Sequence, residues 1–355
     1  MAQTHVLRHK RGDTLLLTLS GKVLLTGEGE GAIEQTFPSA GAAAEHLERV
    51  LGLRRREGYV VAEVREPDGE PAPAAGDPVA SAIQLDRARS RATVTFKGAE
   101  VARGLCAGIV ARLAADAPRS VQLICDRASP GQAFSDALAG TSLPSVEAFV
   151  FDTHFQTVTR QRESSCGDLA AVLAALPSVS RLFATGQSTL AEATHAQLRE
   201  LCLLGDPISR PTAAALGASR FPALETVALQ LCSDAGPGPD RAVAAALRSL
   251  VAPALRVIHV DCIDDVTAFL QALTASPLPG SWRTLRLGGV VDDEDELLGL
   301  LAERAPTLRG LDVLALPLAD NLSEEGIAKV RAQLPSLVDI GEVPAMVLPA
   351  RYDAW

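Results

Sequence analysis

The side chains able to serve as acid, base, nucleophile or metal ligand are few and scattered. Histidines stand at 5, 9, 46, 154, 195 and 259, with no HxxxH or HExxH spacing that would set two rings on one helix face around a zinc ion. Cysteines stand at 106, 125, 166, 202, 232 and 262, without a CxxC pair. Zinc sites want close pairs, and disulfide frameworks belong to short secreted chains. The six therefore read as small buried hydrophobes in a reducing compartment. Cys166, in Ser164-Ser165-Cys166-Gly167, offers a nucleophilic sulfur but no base identifiable beside it. Gly27, Gly29 and Gly31 suggest a phosphate cradle, yet their spacing is GxGxG, not GxGxxG, and Glu28 and Glu30 repel phosphate; a turn is expected. The acidic run Asp292 to Glu296 lacks the glycine and spaced ligands of a calcium loop and opens a helical stretch, where carboxylates complement the N-terminal dipole. These residues give no catalytic group, metal or cofactor, and the chain reads as a non-enzyme.

The elements that would position any site are organised by a repeat. An Lxx-hydrophobic-x-hydrophobic phrase recurs as Val146/Phe149/Phe151, Val179/Leu182/Ala184, Leu198/Leu201/Leu203, Leu224/Val227/Leu229, Leu255/Ile258/Val260 and Trp282/Leu285/Leu287. Leu308/Leu311/Val313 and Leu337/Ile340 follow, and weaker copies centre on Val94/Phe96 and Val121/Leu123. The spacing is about 27 residues, with one irregular pair of intervals around Val179 that reads as an irregular turn. Each alternating pair predicts a short strand, because period two puts both side chains on one face. Between them lie runs with helical spacing, such as Val101/Leu105/Ile109, Val243/Leu247/Leu250 and Val266/Phe269/Leu270/Leu273. Pro118, Pro144, Pro177, Pro222, Pro253, Pro306 and Pro335 stand where each helix should close before the next strand.

This alternation resembles the leucine-rich repeat family in its ribonuclease-inhibitor-like form, over roughly residues 85 to 345, with Cys232 at the Asn/Cys position of the pattern. The resemblance implies an α/β solenoid with a parallel curved sheet and outer helices. In that geometry the non-core strand positions line a concave face, which here would carry Gln122, Asp152, Arg181, Phe183, Glu200, Gln230, His259, Asp261, Arg286 and Asp312. These side chains are mixed in charge, with no run of Lys or Arg to hold a phosphate backbone, so the face suits a protein or peptide.

The first 63 residues read differently. Thr14 to Leu19 and Lys22 to Leu25 form a hairpin pattern across Ser20-Gly21; Glu34 to Phe37 is strand-like, and Ala40 to Arg56 is a helical run capped by Ser39. With Gly58-Tyr59-Val60-Val61 after it, this order resembles the WGR domain of poly-ADP-ribose polymerases and bacterial relatives, in degenerate form. Thr26-Gly27-Glu28 stands where the Trp-Gly-Arg would be, which removes the arginine that faces nucleic acid. His5, Arg8, His9, Lys10 and Arg11, with Arg54-Arg55-Arg56, are the basic clusters an alternative nucleic-acid-associated role would use. The Pro- and Gly-rich stretch at 64–80 separates this unit as a semi-rigid linker from repeats over 81–341, followed by a cap or tail at 342–355. A net charge of −10 argues against broad nucleic-acid binding and anionic membranes, and no run approaches the length of a membrane span. A cytoplasmic interaction protein with a protein partner is expected: an adaptor, sensor or regulated partner.

Overall fold

The computed structural model describes residues 2–9, 14–20, 23–26, 33–36, 39, 42–44, 46–47, 50–51, 59–65, 78–88, 90–96, 103–125, 131–152, 165–204, 208–231, 239–318 and 323–343. The chain divides into two units, Met1–Gly76 and Asp77–Trp355. Gly27 to Gly31, Lys10, Arg11, Arg54 to Arg56, His154, Cys232 and the tail from 344 lie outside the described residues, as do the side chains of His5, Arg8, His9 and Asp152.

In the first unit a five-stranded antiparallel sheet runs β4-β3-β2-β1-β5. Its strands are β1 (Ala2–His9), β2 (Thr14–Ser20), β3 (Val23–Thr26), β4 (Ile33–Thr36) and β5 (Tyr59–Arg65). The hairpin read from Ser20-Gly21 joins β2 to β3, with Leu19 opposite Leu24. Leu17 and Leu24 from the sheet meet Leu47 and Leu51 from helical residues beyond Ser39 in a small core, and the Ser39 hydroxyl accepts from the Ala42 amide at 3.1 Å. The N-terminal residues, which read as a basic start, supply the strand that bridges β2 and β5.

The second unit is an α/β layer structure on an open eleven-stranded sheet, ordered β18-β17-β16-β15-β14-β13-β11-β9-β8-β7-β6. After the edge strand β6 (Ile83–Asp86) come β7 (Arg91–Phe96), β8 (Ser120–Cys125), β9 (Ala148–Asp152), β11 (Arg181–Thr185), β13 (Glu200–Leu204), β14 (Thr226–Gln230), β15 (Val257–Ile263), β16 (Thr284–Gly289), β17 (Val313–Leu316) and β18 (Leu337–Asp339). From β7 to β18 every neighbour is parallel; β6 closes one edge antiparallel to β7. Helices such as Arg103–Asp116, Arg210–Ala218, Val266–Leu273 and Glu294–Leu308 return the chain between parallel strands.

One sheet face packs on these helices in a continuous core. Val94, Leu123, Phe151, Leu229, Val260, Leu287 and Leu316 from the strands meet Ile109, Leu216, Phe269 and Leu301 from the helices. The acidic run behaves as a cap: the Asp293 carboxylate accepts from the Glu296 amide at 3.0 Å, and the helix begins at Glu294.

Three readings need correction. The frame slips by three residues at the last repeats: Leu285 pairs with Leu314, not Leu311, and Leu314 pairs with Leu337. The phrase Leu308/Leu311/Leu314 satisfies the pattern in either frame, and the preceding helix runs through Pro306 to Leu308 without closing at the proline. Asp312 consequently precedes β17. Second, Val179 marks no irregular turn: β11 pairs in register with β9 and β13. The irregularity lies around it. A small parallel pair, β10 (Ser165–Asp168) and β12 (Gln187–Thr189), flanks β11, and an extended stretch replaces the helix before β13. Third, the cysteines are not uniformly buried hydrophobes: Cys262 is exposed.

Candidate functional site

Strand register defines the face opposite the helical core. Pairing carries one column of side chains across the sheet: Thr93, Gln122, Val150, Phe183, Cys202, Ala228, His259, Arg286, Ala315 and Val338. Columns two residues away flank it; one holds Arg181 beside Glu200, the other Gln230 beside Asp261. Of the ten residues read from the sequence, Gln122, Phe183, His259 and Arg286 share the central column. Arg181, Glu200, Gln230 and Asp261 stand in the flanks, as does the backbone of Asp152 beside Ile124. Asp312 stands in none, and Ala315 takes the place beside Arg286.

Burial sorts these residues. Val150, Phe183, Cys202 and Ala228 are at most 3% exposed and make a second apolar cluster with Leu204 packed against it. Gln122 is buried and accepts from Arg91 Nη2 at 2.5 Å. Arg181 and Asp312 are exposed, and Glu200, Gln230 and Asp261 half-buried. The Arg181–Glu200 pair is open to solvent at 3.8 Å.

The polar end of the column is built around Arg286. This buried guanidinium donates through Nη1 to Asp261 Oδ1 at 2.5 Å and through Nε to the Val343 carbonyl at 3.2 Å. His259 stands next to it in register, 9% exposed, and its Nδ1 has no hydrogen-bond partner among the described residues. Burial holds the His259 pKa below its ordinary value, the neighbouring Arg286 charge lowers it further, and Asp261 opposes both. Beyond Asp261 the strand bulges at Cys262, whose φ is +60°. The exposed Cys262 thiol accepts from Gln230 Nε2 at 3.4 Å. Two glycines on β16 make room for this bulge: a Cβ on Gly289 would stand 2.1 Å from the Ile263 carbonyl oxygen, and one on Gly288 would stand 2.2 Å from Asp261 Oδ1.

The remaining reactive side chains are tied elsewhere. Cys166 is buried and donates its thiol to the Thr185 carbonyl at 3.1 Å. Burial pushes the Cys202 thiol up to about 12, and the Glu200 carboxylate adds to the rise. His195 holds two loops together: its Nε2 donates to the Leu176 carbonyl at 2.9 Å, and its Nδ1 accepts from the Leu198 amide at 3.1 Å. No cluster of three or more His, Cys, Asp or Glu side chains among the described residues could hold a metal ion. No helix among them is long and apolar enough to cross a membrane.

No family model matches the chain, and no curated protein matches it. Among solved structures it is similar to a crystal structure of a Bacteroides fragilis protein determined as a structural-genomics target. The two are 16% identical over 97% of each chain, with a TM-score of 0.51. That likeness concerns the fold alone.

Proposed function

We propose that the chain is a non-catalytic protein–protein interaction module: a leucine-rich-repeat solenoid preceded by a degenerate WGR-like domain, serving as an adaptor, sensor or regulated partner. The observation that carries this reading is the register, which lines up columns of side chains on the sheet face away from the helical core. Such columns suit recognition of a protein surface through the exposed and half-buried side chains of mixed charge at their flanks, while the apolar centre, at most 3% exposed, stays covered. Three of the reactive side chains support the non-enzymatic part. Cys166 and His195 spend their polar atoms on backbone groups, and Cys202 is held in its thiol form.

Contact with a partner begins, on this reading, at the exposed flank. Arg181 and Glu200 face each other across β11 and β13, so exchanging them keeps an ion pair but inverts the charge pattern offered outward. The test is affinity capture from a lysate of the source organism with the full chain and with the exchange variant Arg181→Glu/Glu200→Arg. The reading expects a specific partner that the variant loses while keeping the wild-type melting temperature. A partner held equally by both proteins, and captured by residues 1–76 alone, would place recognition in the first unit and overturn it.

A further inference from the structure

The C-terminal part of the described chain crosses onto the column face after β18. Asp339 caps a short 3₁₀ turn, Ile340–Glu342, in a reciprocal capping box with Glu342, and its other carboxylate oxygen accepts from the Leu318 amide at 3.0 Å. Arg331 braces the base by donating to the Leu337 carbonyl at 3.1 Å. From this anchored base the turn packs against β17 and β16. Two contacts hold it to β16, one at each end of the turn. The Val343 carbonyl accepts from Arg286 Nε at 3.2 Å, and Ile340 stands over the notch at Gly288, where an added Cβ would come within 2.9 Å of its Cδ1. Ala315, next to Arg286 in the column, is fully buried.

The turn is thus held to β16 by one charged hydrogen bond at Val343 and one close fit at Ile340, whereas Asp339, Gly341 and Glu342 are tied by their own capping network. A main-chain carbonyl on Arg286 is also the kind of group an extended partner segment would present there. We infer that residues 340–343 are an intramolecular strap, latched through Arg286 and the Gly288 notch, that occupies the β16–β17 end of the column face in cis and must unlatch before a partner segment can take that place. The last clause rests on the reading of this face as a protein-binding surface; the latch itself does not. Asp261 belongs to it as the anchor that holds the guanidinium in position, because the same Arg286 fork spans Asp261 and Val343.

The test is made on the full-length chain without a partner. Hydrogen–deuterium exchange is read for peptides covering 337–343 and for β13 and β14, in wild type, Arg286→Gln and Gly288→Ala. Access to the face is read as iodoacetamide alkylation at residue 315 in an Ala315→Cys background, mapped by peptide mass. A hydrogen bond from a charged donor predicts that Arg286→Gln raises exchange within 340–343 by about tenfold or more. Gly288→Ala should do the same, because the added Cβ crowds Ile340 and, more closely, the Asp261 carboxylate that holds Arg286. Both should expose Cys at 315 while β13 and β14 keep wild-type protection. If both variants leave 340–343 and residue 315 within about twofold of wild type, there is no latch. If β13 and β14 lose protection together with 340–343, the contact belongs to the fold as a whole and the inference falls equally. Neither result touches the Arg181/Glu200 exchange, so failure of the latch and failure of the binding reading are separable.

Discussion

Replacing His195 tests how the short repeat between β11 and β13 is held without a helix. The ring is 5% exposed and bridges two backbone groups, the Leu176 carbonyl at 2.9 Å and the Leu198 amide at 3.1 Å, with the Gln197 amide also within 3.3 Å of Nδ1. The proton therefore sits on Nε2. His195→Ala leaves the Leu198 amide, in a fully buried residue, without its acceptor, at a cost of about 1–3 kcal/mol. It also removes one donor from the Leu176 carbonyl. That oxygen keeps the Val179 amide at 3.0 Å, so the further loss is only about 0.5–1.5 kcal/mol. The sum is a destabilisation of about 1.5–4.5 kcal/mol. His195→Asn separates the two terms. Its side-chain oxygen can accept from the amides two and three residues on, as in an Asx turn, but cannot reach Leu176, so about 1 kcal/mol should be lost. Urea unfolding followed by far-UV circular dichroism measures both variants. The reasoning fails if His195→Ala unfolds within about 0.5 kcal/mol of wild type, or if Asn is no better than Ala.

Two further outcomes follow from ionisable groups. His259 has a folded pKa below its ordinary 6.5, so below that pH the unfolded chain takes up a proton before the folded one does. Its contribution is therefore complete above 6.5 and is lost as pH falls through the folded value; His259→Gln should lose less stability than wild type between about pH 7 and 5, and parallel stability curves would refute this. Among the described cysteines, exposed Cys262 should be alkylated in the native protein while buried Cys106, Cys166 and Cys202 are spared. With its thiol pushed up to about 12, Cys202 should stay unlabelled even in mildly alkaline buffer, and labelling as fast as that of Cys262 would contradict the described burial.

The strand positions were legible because alternation over five or six residues leaves little freedom: Val227 and Leu229 can share a face only in an extended chain. The same logic failed at β17, where leucines at 308, 311 and 314 fit a strand frame twice and a helical turn once; only packing against Leu285 chooses between them. The bridging role of His195 was silent, since its carbonyl partner lies 19 residues upstream, beyond β11 and β12. Column membership of Gln122, Phe183, His259 and Arg286 was readable from period two, but their burial was not. Burial depends on what covers the face, and at Arg286 that includes a carbonyl 57 residues away. The notch at Gly288 was equally silent, because a glycine in a strand pattern announces a close approach without saying to what.

The energetics of the column decide where a partner would start. Gln122 and Arg286 are buried and already hold hydrogen-bond partners within the chain, Arg91 at one end and Asp261 with Val343 at the other. Taking either from its partner strands a desolvated polar group, at a cost of about 1–3 kcal/mol or more where charge is involved, before any new contact is made. The Arg181–Glu200 pair at 3.8 Å is solvent-exposed, and such pairs hold together by only about 0–1 kcal/mol, so a partner can exchange it at little cost. Recognition on this face is therefore expected to open at the β11–β13 flank and to reach Arg286 only as a later step, once the carbonyl of Val343 has been replaced by one from the partner. Ordered this way, removing the flank charges should slow association, whereas weakening the Arg286 latch should leave the encounter rate unchanged and alter the lifetime of the complex.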